Sequence, residues 1–265
     1  MTALDQGNDT HAIELLNCTV RYRRSGSGPP LLFLHGSSGV PGWTPWMAQL
    51  AERFELIVPD HPGFGSSDTP AWFDNIHDLA YYYLDFMKAL GLRDVHLVGH
   101  SLGGWIAAEV AIRCAANLRT LTLVSAAGLR IPGVERVDVF LLAPEDVPHE
   151  LYFDRKFADA ALERPKTDAQ IDLDLKNSYS FARVAWQPRL YDPHLEKWLH
   201  RIDIPTLLVW GDADKLVPPQ YAAEYKRFIP QASVEIIERC GHIPQVEQTT
   251  AFLRAVTTFI ERNAA

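Results

Sequence analysis

Short apolar runs recur along the chain at fairly regular intervals, and most end in glycine or a polar residue. The runs are "LLFLHG", "ELIVPD", "DVHLVG", "LRTLTLVS", "PTLLVWG" and "SVEIIE". Runs that are apolar throughout are typical of central parallel strands, because such strands are covered on both faces. The earlier stretch "HAIELLNCTVRYRRSG", which precedes the break "GSGPP", predicts two edge strands.

Between these runs, apolar residues recur at steps of three and four, which indicates helices. Residues 76 to 90 carry one such apolar stripe, and Gly91 follows it as a helix stop. The segment after "GGW" and residues 219 to 228 and 248 to 261 are also predicted to be helical. The alternation predicts an α/β fold with a mostly parallel central sheet, flanked by helices and joined by right-handed crossovers.

One long stretch breaks this alternation. Residues 130–201 contain no central-strand run, but they hold six prolines and helical fragments rich in Leu, Phe and Trp. A structureless loop of about 70 residues is too long for a compact domain. We therefore predict a helical cap, inserted over the C-terminal edge of the sheet, within a core made of residues 1–129 and 202–265.

The composition limits the classes of function. A net charge of −8 argues against a nucleic-acid partner, because nucleic-acid phosphates require a basic face. No segment reaches the roughly 18 apolar residues of a membrane helix, and the start "MTALDQGNDTH" lacks signal-peptide features. Cys18, Cys114 and Cys240 are far apart without metal-ligand spacing, which predicts reduced cysteines in a cytoplasmic protein, with Cys114 in a buried helix.

The stretch "LVGHSLGGW" carries the strongest chemical signal. Gly99, Ser101 and Gly103 form the pattern G-x-S-x-G, in which a strained strand-to-helix turn exposes a nucleophilic serine. The motif alone is suggestive, so its context has to decide. A nucleophilic serine needs a base, and the base needs a carboxylate that fixes its tautomer. Residues of the three types end apolar runs in the order serine, acid, histidine; the polar residues at run ends are His35, Asp60, Ser101, Asp212, Asp214 and His242.

In these features the chain resembles α/β-hydrolase fold enzymes. The matching pieces are "LLFLHGSSG", "PDHPGFGSSD", "VGHSLGGW", "PTLLVWGDADKLVP" and "CGHIPQVEQ", and the resemblance covers nearly the whole chain, being weakest in residues 130 to 200. It implies that His242 is the catalytic base. The pattern G-x-x-D-x-x-V-P favours Asp214 as the acid and leaves Asp212 as a turn residue.

The oxyanion of the reaction needs two backbone donors. One is expected to be the N–H of Leu102, directly after the nucleophile, and the resemblance implies the N–H of Ser37 as the other. We expect His35 to hold its loop by hydrogen bonds, and we expect His100 to point away from the site. No dinucleotide fingerprint and no metal-ligand spacing is found, so we predict neither a cofactor nor a metal.

The leading hypothesis is a serine hydrolase that cleaves a carboxylic ester of a small or medium acyl group. Serine at the elbow argues against the related haloalkane dehalogenases and epoxide hydrolases, which resemble this chain but carry aspartate there. Carbon–carbon bond hydrolases of ring-cleavage products are similar, but His100 and Ile243 depart from their usual asparagine and tryptophan. The sequence does not exclude a perhydrolase, an acyltransferase or a receptor with little turnover, nor does it exclude a homo-oligomer.

The expected partner is an apolar or ester small molecule in a cap pocket. The aromatic and apolar candidates for the pocket are Phe140, Leu141, Trp186 and Trp198.

Overall fold

Eight strands form one sheet in the computed structural model, which describes residues 9–263. They are β1 (Asp9–Leu15), β2 (Cys18–Ser25), β3 (Pro30–Leu34), β4 (Glu55–Pro59), β5 (Val95–His100), β6 (Leu118–Val124), β7 (Thr206–Gly211) and β8 (Ser233–Ile237). Their order across the sheet is β1-β2-β4-β3-β5-β6-β7-β8. Pairs β1–β2 and β2–β4 are antiparallel and the others are parallel, which confirms the predicted α/β fold. Most of the stretch examined for a signal peptide, residues 1–8, lies outside the described range.

Helices connect the strands and cover both faces of the sheet. They are α1 (Pro45–Ala51), α2 (Ile76–Ala89), α3 (Leu102–Arg113), α4 (Val147–Leu151), α5 (Arg155–Glu163), α6 (Asp168–Ala185), α7 (Gln220–Phe228), α8 (Pro244–Glu247) and α9 (Thr249–Arg262). One apolar layer contains buried residues of α2, α3 and α7, and the other contains those of α1 and α9. None of the helices within residues 9–263 is both long and apolar enough to cross a membrane.

Strand β3 shows why the central runs are apolar throughout. Leu31 and Phe33 pack in the layer of α1 and α9, whereas Leu32 and Leu34 pack in the layer of α2 and α3. Side chains of a strand alternate between its faces, so a strand covered on both faces buries residues at every position. Polar residues inside the central strands, such as His96 of β5 and Thr122 of β6, are buried, and accessible polar side chains are expected in the residues that follow the strands.

The segment between β6 and β7 is built from helices and turns. It contains α4, α5, α6 and three 3-10 turns, and none of the eight strands falls within it. Side chains of α6 reach the backbone of the loop after β4: Ser180 Oγ donates to Gly63 O at 2.5 Å and Lys176 Nζ donates to Gly65 O at 3.0 Å. Helix α6 is thus fastened to the core, and the function of the segment as a cap stays a prediction.

The prediction for Cys114 was wrong. Helix α3 ends at Arg113, and the backbone of Cys114 is already extended, with φ −157° and ψ 111°. The thiol is exposed, because the chain leaves the helix there to turn into the loop before β6. Cys18 and Cys240 are buried, and burial raises the pKa of the Cys18 thiol to about 11.

Candidate active site

Ser101 occupies a turn that only a glycine-flanked sequence can form. It joins β5 to α3 with φ 54° and ψ −114°, which is a strained conformation for a residue with a side chain. A Cβ at Gly99 would lie 2.2 Å from Gly103 O, and a Cβ at Gly103 would lie 2.1 Å from Leu34 O. Both glycines are therefore required for the turn to close. It leaves Ser101 partly exposed at the carboxyl edge of the sheet.

The structure brings together the serine, histidine and aspartate that the sequence predicted. His242 Nε2 lies 2.8 Å from Ser101 Oγ, and His242 Nδ1 lies 2.8 Å from Asp214 Oδ2. The other carboxylate oxygen, Asp214 Oδ1, accepts the amides of Leu216 and Val217 at 3.0 and 2.9 Å. The side chains of His242 and Asp214 are 4% and 0% exposed. We refer to Ser101, His242 and Asp214 as the triad.

Asp212 takes a different position from Asp214 although only one residue separates them. Its side chain is exposed, and Oδ1 accepts the amide of Cys240 at 3.1 Å. The residue therefore fastens the turn after β7 to the segment that follows β8, and His242 pairs with the other aspartate.

Glu247 holds the loop that carries His242, a role that the sequence analysis missed. Its Oε2 accepts the amide of Gly241 at 2.6 Å, and its Oε1 accepts the amide of Asp154 at 2.6 Å. The amide of His242 in turn donates to Leu151 O at 2.7 Å. Both Leu151 and Asp154 belong to the predicted cap, so the segment between β6 and β7 supports the histidine loop directly. The quoted piece "CGHIPQVEQ" contains this glutamate, but nothing in the sequence pairs it with residues so distant.

His100 contacts the backbone of the same loop. Its Nε2 donates to His242 O at 2.8 Å, so the ring faces the histidine loop and not the Ser101 hydroxyl. The residue is buried, and a Cβ at Gly36 would lie 3.0 Å from His100 Nδ1. We expected His100 to point away from the site, but the structure places its ring beside His242, with the ring centroids 5.1 Å apart.

The loop after β3 lies against Ser101, as the oxyanion prediction requires. A Cβ at Gly36 would lie 3.4 Å from the Ser101 Cβ, so the neighbouring Ser37 is close to Ser101. Leu102 is the first residue of α3, where backbone amides lack helical acceptors. Within residues 9–263, neither amide, Ser37 N–H or Leu102 N–H, donates to another protein group. Their role as oxyanion donors stays a prediction.

Two further side chains hold this loop. His35 Nδ1 donates to Gly36 O at 2.6 Å, and His35 Nε2 accepts the amide of His61 at 3.1 Å. Asn177 of α6 donates from Nδ2 to Ser38 O at 3.0 Å and accepts the amide of Gly65 at 2.8 Å. The role expected for His35 agrees with these contacts, whereas Asn177 was missed because its partners are backbone atoms more than 100 residues away.

Three buried histidines around the site have lowered pKa values. Burial is the main cause for His35, His61 and His100, and it lowers the pKa of His100 to about 3, with a smaller contribution from the neighbouring His242. An unfolded chain binds these protons near pH 6.5. Stability from the neutral rings is therefore fully present above that pH and is lost progressively as the pH falls below it.

We expect the free energy of unfolding to fall between pH 7 and pH 5, with His100 alone contributing about 2 kcal/mol of the loss. Urea unfolding of wild type and His100→Gln at the two pH values measures this contribution. The variant should be less stable at pH 7 but should lose less stability on acidification. His200→Gln, at an exposed position, is the control. An unchanged pH slope in His100→Gln would contradict the assignment.

An aromatic cluster lies in the segment between β6 and β7. Phe140 stacks on Phe181 with ring centroids 4.6 Å apart, and Trp186 packs edge-on to Phe140 at 5.3 Å. Leu141 and Trp198 differ from the expectation that they line an apolar pocket, because they are 76% and 50% exposed and lie outside this cluster. The other two candidates, Phe140 and Trp186, belong to the cluster, and the guanidinium of Arg189 packs over both rings at 5.2 and 4.0 Å.

One group of possible metal ligands lies outside the triad. The ligand atoms of His77, Glu109 and Asp192 are all within 4.8 Å of one another. Arg113 donates to both Glu109 Oε2 and His77 Nδ1, so a guanidinium already provides the positive charge there. Interaction with Glu109 raises the pKa of His77 above its usual value. We read this group as an ion-pair network that joins α2, α3 and residue 192.

Comparisons with known proteins identify the fold family and its relatives. Residues 29–249 match the model of the α/β-hydrolase fold family. The 2-hydroxymuconate semialdehyde hydrolase of Pseudomonas sp. (strain CF600) is 31% identical over 91% of this chain and 90% of its own length. Lipase 1 of Psychrobacter immobilis is 29% identical over 85% of this chain and 75% of its own.

Solved structures show the same fold. A meta-cleavage product hydrolase from Pseudomonas fluorescens IP01 superposes with a TM-score of 0.83 at 24% identity, over 95% of this chain and 97% of that chain. The sheet order, the serine at the strand-to-helix turn and the family match point to one conclusion. This chain is a member of the α/β-hydrolase fold family.

Proposed function

We propose that this hydrolase cleaves carboxylic esters of small or medium acyl groups through an acyl-enzyme on Ser101. The observation that carries the proposal is the continuous hydrogen-bonded line from Ser101 Oγ through His242 to Asp214, with both contacts at 2.8 Å. Such a line allows proton transfer from a hydroxyl while a carboxylate stabilises the imidazolium that forms.

We assign a group to each step of the reaction. Ser101 Oγ attacks the ester carbonyl as His242 Nε2 takes its proton, and the resulting oxyanion accepts the amides of Leu102 and Ser37. Collapse breaks the bond to the alkoxy group, which leaves as the alcohol with the proton from His242. Water then attacks the acyl-enzyme with His242 again as the base, and the acid and free Ser101 are released.

Cleavage of a carbon–carbon bond in a ring-cleavage product is the second candidate function, because one relative is a 2-hydroxymuconate semialdehyde hydrolase. A substrate of that class carries a carboxylate that a cap arginine could bind. Two arginines of the segment between β6 and β7 already pair with carboxylates: Arg183 pairs with Asp74 at 2.8 Å and Arg189 pairs with Asp138 at 2.6 Å. These pairs, together with Ile243 after the histidine, favour the ester.

A substrate panel separates the candidates. Wild type and His242→Ala are assayed with p-nitrophenyl esters from acetate upward and with a vinylogous ring-cleavage diketone acid. We expect wild-type turnover of the esters, loss of that turnover in the variant, and no cleavage of the diketone acid. Preferential cleavage of the diketone acid would replace the ester proposal with the second candidate. Binding of substrates without product release would instead indicate a receptor.

The aromatic cluster should decide which acyl groups are accepted. Trp186→Ala removes the edge contact with Phe140 and enlarges the space available to an acyl chain beside that ring. We expect the ratio of kcat/KM for hexanoate to acetate esters to change about tenfold, the scale of one methylene contact in a pocket. Trp198→Ala is the matched control, since Trp198 is 50% exposed against 48% for Trp186 but lies outside the cluster. Equal shifts in both variants would contradict this role.

A further inference from the structure

A cavity of about 440 Å³ lies between residues 130–138, residues 187–189 and Tyr221 of α7. None of the triad residues lines it. Its walls carry three arginines, Arg130, Arg136 and Arg189, but only one carboxylate, Asp138. The volume falls within the usual range for small-molecule sites, about 300–1,000 Å³. We call it the arginine cavity.

The positive charges of the arginine cavity exceed the negative charge beside them. Arg189 Nη1 lies 2.6 Å from Asp138 Oδ2, which neutralises one guanidinium. Arg130 lies over the ring of Tyr191, 5.5 Å from its centroid, and has no carboxylate partner among residues 9–263. Three guanidiniums against one carboxylate leave an excess of two positive charges, in a chain whose net charge is −8.

Arg136 is the least satisfied of the three. Its Nη2 donates to Arg189 O at 2.6 Å, whereas its Nη1 is buried and has no hydrogen-bond partner among the described residues. Burial lowers the pKa of Arg136; Tyr221 and Asp138 partly offset this, and the charges of Arg130 and Arg189 lower the pKa further. A buried unpaired donor and an excess of positive charge both cost stability, and an anion in the cavity would reduce both costs.

We propose that the arginine cavity binds the phosphate group of a small organic phosphomonoester. A phosphate dianion matches the excess of two charges, and its tetrahedral oxygens can accept from guanidiniums that approach from two separate segments. A planar carboxylate offers one charge and two oxygens. Ile131, Pro132 and Val134 add an apolar wall beside the arginines, which suits the organic part of the ligand.

Isothermal titration calorimetry with phenyl phosphate and inorganic phosphate, at constant ionic strength, tests the proposal. We expect saturable binding of phenyl phosphate below about 10 mM, weakened tenfold or more in Arg136→Gln and in Arg130→Gln, since each removes a charge-assisted contact. Arg130 is exposed, so its replacement keeps the variant folded if Arg136→Gln does not fold. Arg93 is an exposed arginine just before the start of β5, whereas the cavity residues 130–138 follow the end of β6. Arg93→Gln should therefore bind phenyl phosphate as wild type does.

The outcomes separate this proposal from the hydrolase proposal. Ser101→Ala should bind phenyl phosphate as wild type does, because Ser101 does not line the cavity. Tighter binding of phenyl phosphate than of inorganic phosphate supports a phosphomonoester, and equal binding would replace it with free phosphate. Absence of saturable binding, or binding that survives in both Arg130→Gln and Arg136→Gln, would overturn the site whatever the esterase assays give.

Discussion

Ser101→Ala is expected to abolish labelling by a fluorophosphonate probe and to lower kcat for p-nitrophenyl acetate by about 10⁴-fold or more. The substitution removes only the hydroxyl of Ser101, which lies 2.8 Å from His242 Nε2. The proposed oxyanion donors are backbone amides, so the substitution leaves them unchanged. Mass spectrometry of the intact protein measures the labelling. One probe group per wild-type chain, located on Ser101 by peptide mapping, is the expected result.

Ser125 provides a matched control for this experiment. Like Ser101 it follows a strand of the sheet and has a positive φ, 45° against 54°, but its buried Oγ has no hydrogen-bond partner among the described residues. Because no base lies beside Ser125, the probe is not expected to react there. The variant Ser125→Ala should therefore still be labelled, on Ser101. Labelling of Ser101→Ala at any serine would show that the nucleophile has been assigned to the wrong residue.

Asp214→Asn is expected to lower kcat by about 10⁴-fold while the protein stays folded. An asparagine keeps an oxygen for the amides of Leu216 and Val217, but it presents an amide N–H to His242 Nδ1 where Asp214 Oδ2 now lies. The ring then accepts at Nδ1 and carries its proton on Nε2, so it cannot take a proton from Ser101. Steady-state kinetics, with thermal unfolding as a check of the fold, measures the effect.

Asp212→Asn is the matched control, because Asp212 lies two residues before Asp214 in the same turn. Asparagine retains the oxygen that accepts the amide of Cys240, and the side chain is exposed. We expect kcat within about threefold of wild type, as is usual for surface substitutions. A large loss in Asp212→Asn with little loss in Asp214→Asn would reverse the assignment of the acid.

The fold and the triad could be predicted because both depend on local pattern. Strands covered on both faces leave accessible polar side chains to the strand ends, which reduced the search to six positions. The spacing from Gly211 to Pro218 then separated Asp214 from Asp212, and the structure places Asp214 beside His242. Local pattern also placed the helices, for instance 249–262 against the predicted 248–261.

The positioning residues could not be predicted, because their partners are backbone atoms far away in the chain. Glu247 accepts an amide 93 residues away, and Asn177 donates to a carbonyl 139 residues away. Any glutamate or asparagine can make such bonds, so residue type carries no signal for them. Errors arose likewise where burial depends on tertiary packing: Cys114 follows the end of its helix, and Leu141 and Trp198 face solvent.

The hydrogen bond from His242 to Leu151 O has a consequence for evolution and engineering in this family. A Cβ at Gly241 would lie 2.3 Å from Leu151 O, so the two loops fit each other closely at the backbone. An exchange of residues 130–201 between homologues would therefore also replace part of the support of the His242 loop. Chimeras that keep native residues 147–154 and exchange only the rest should retain activity more often than whole-segment grafts. The histidine loop and this short segment are expected to diverge together, as one inherited unit.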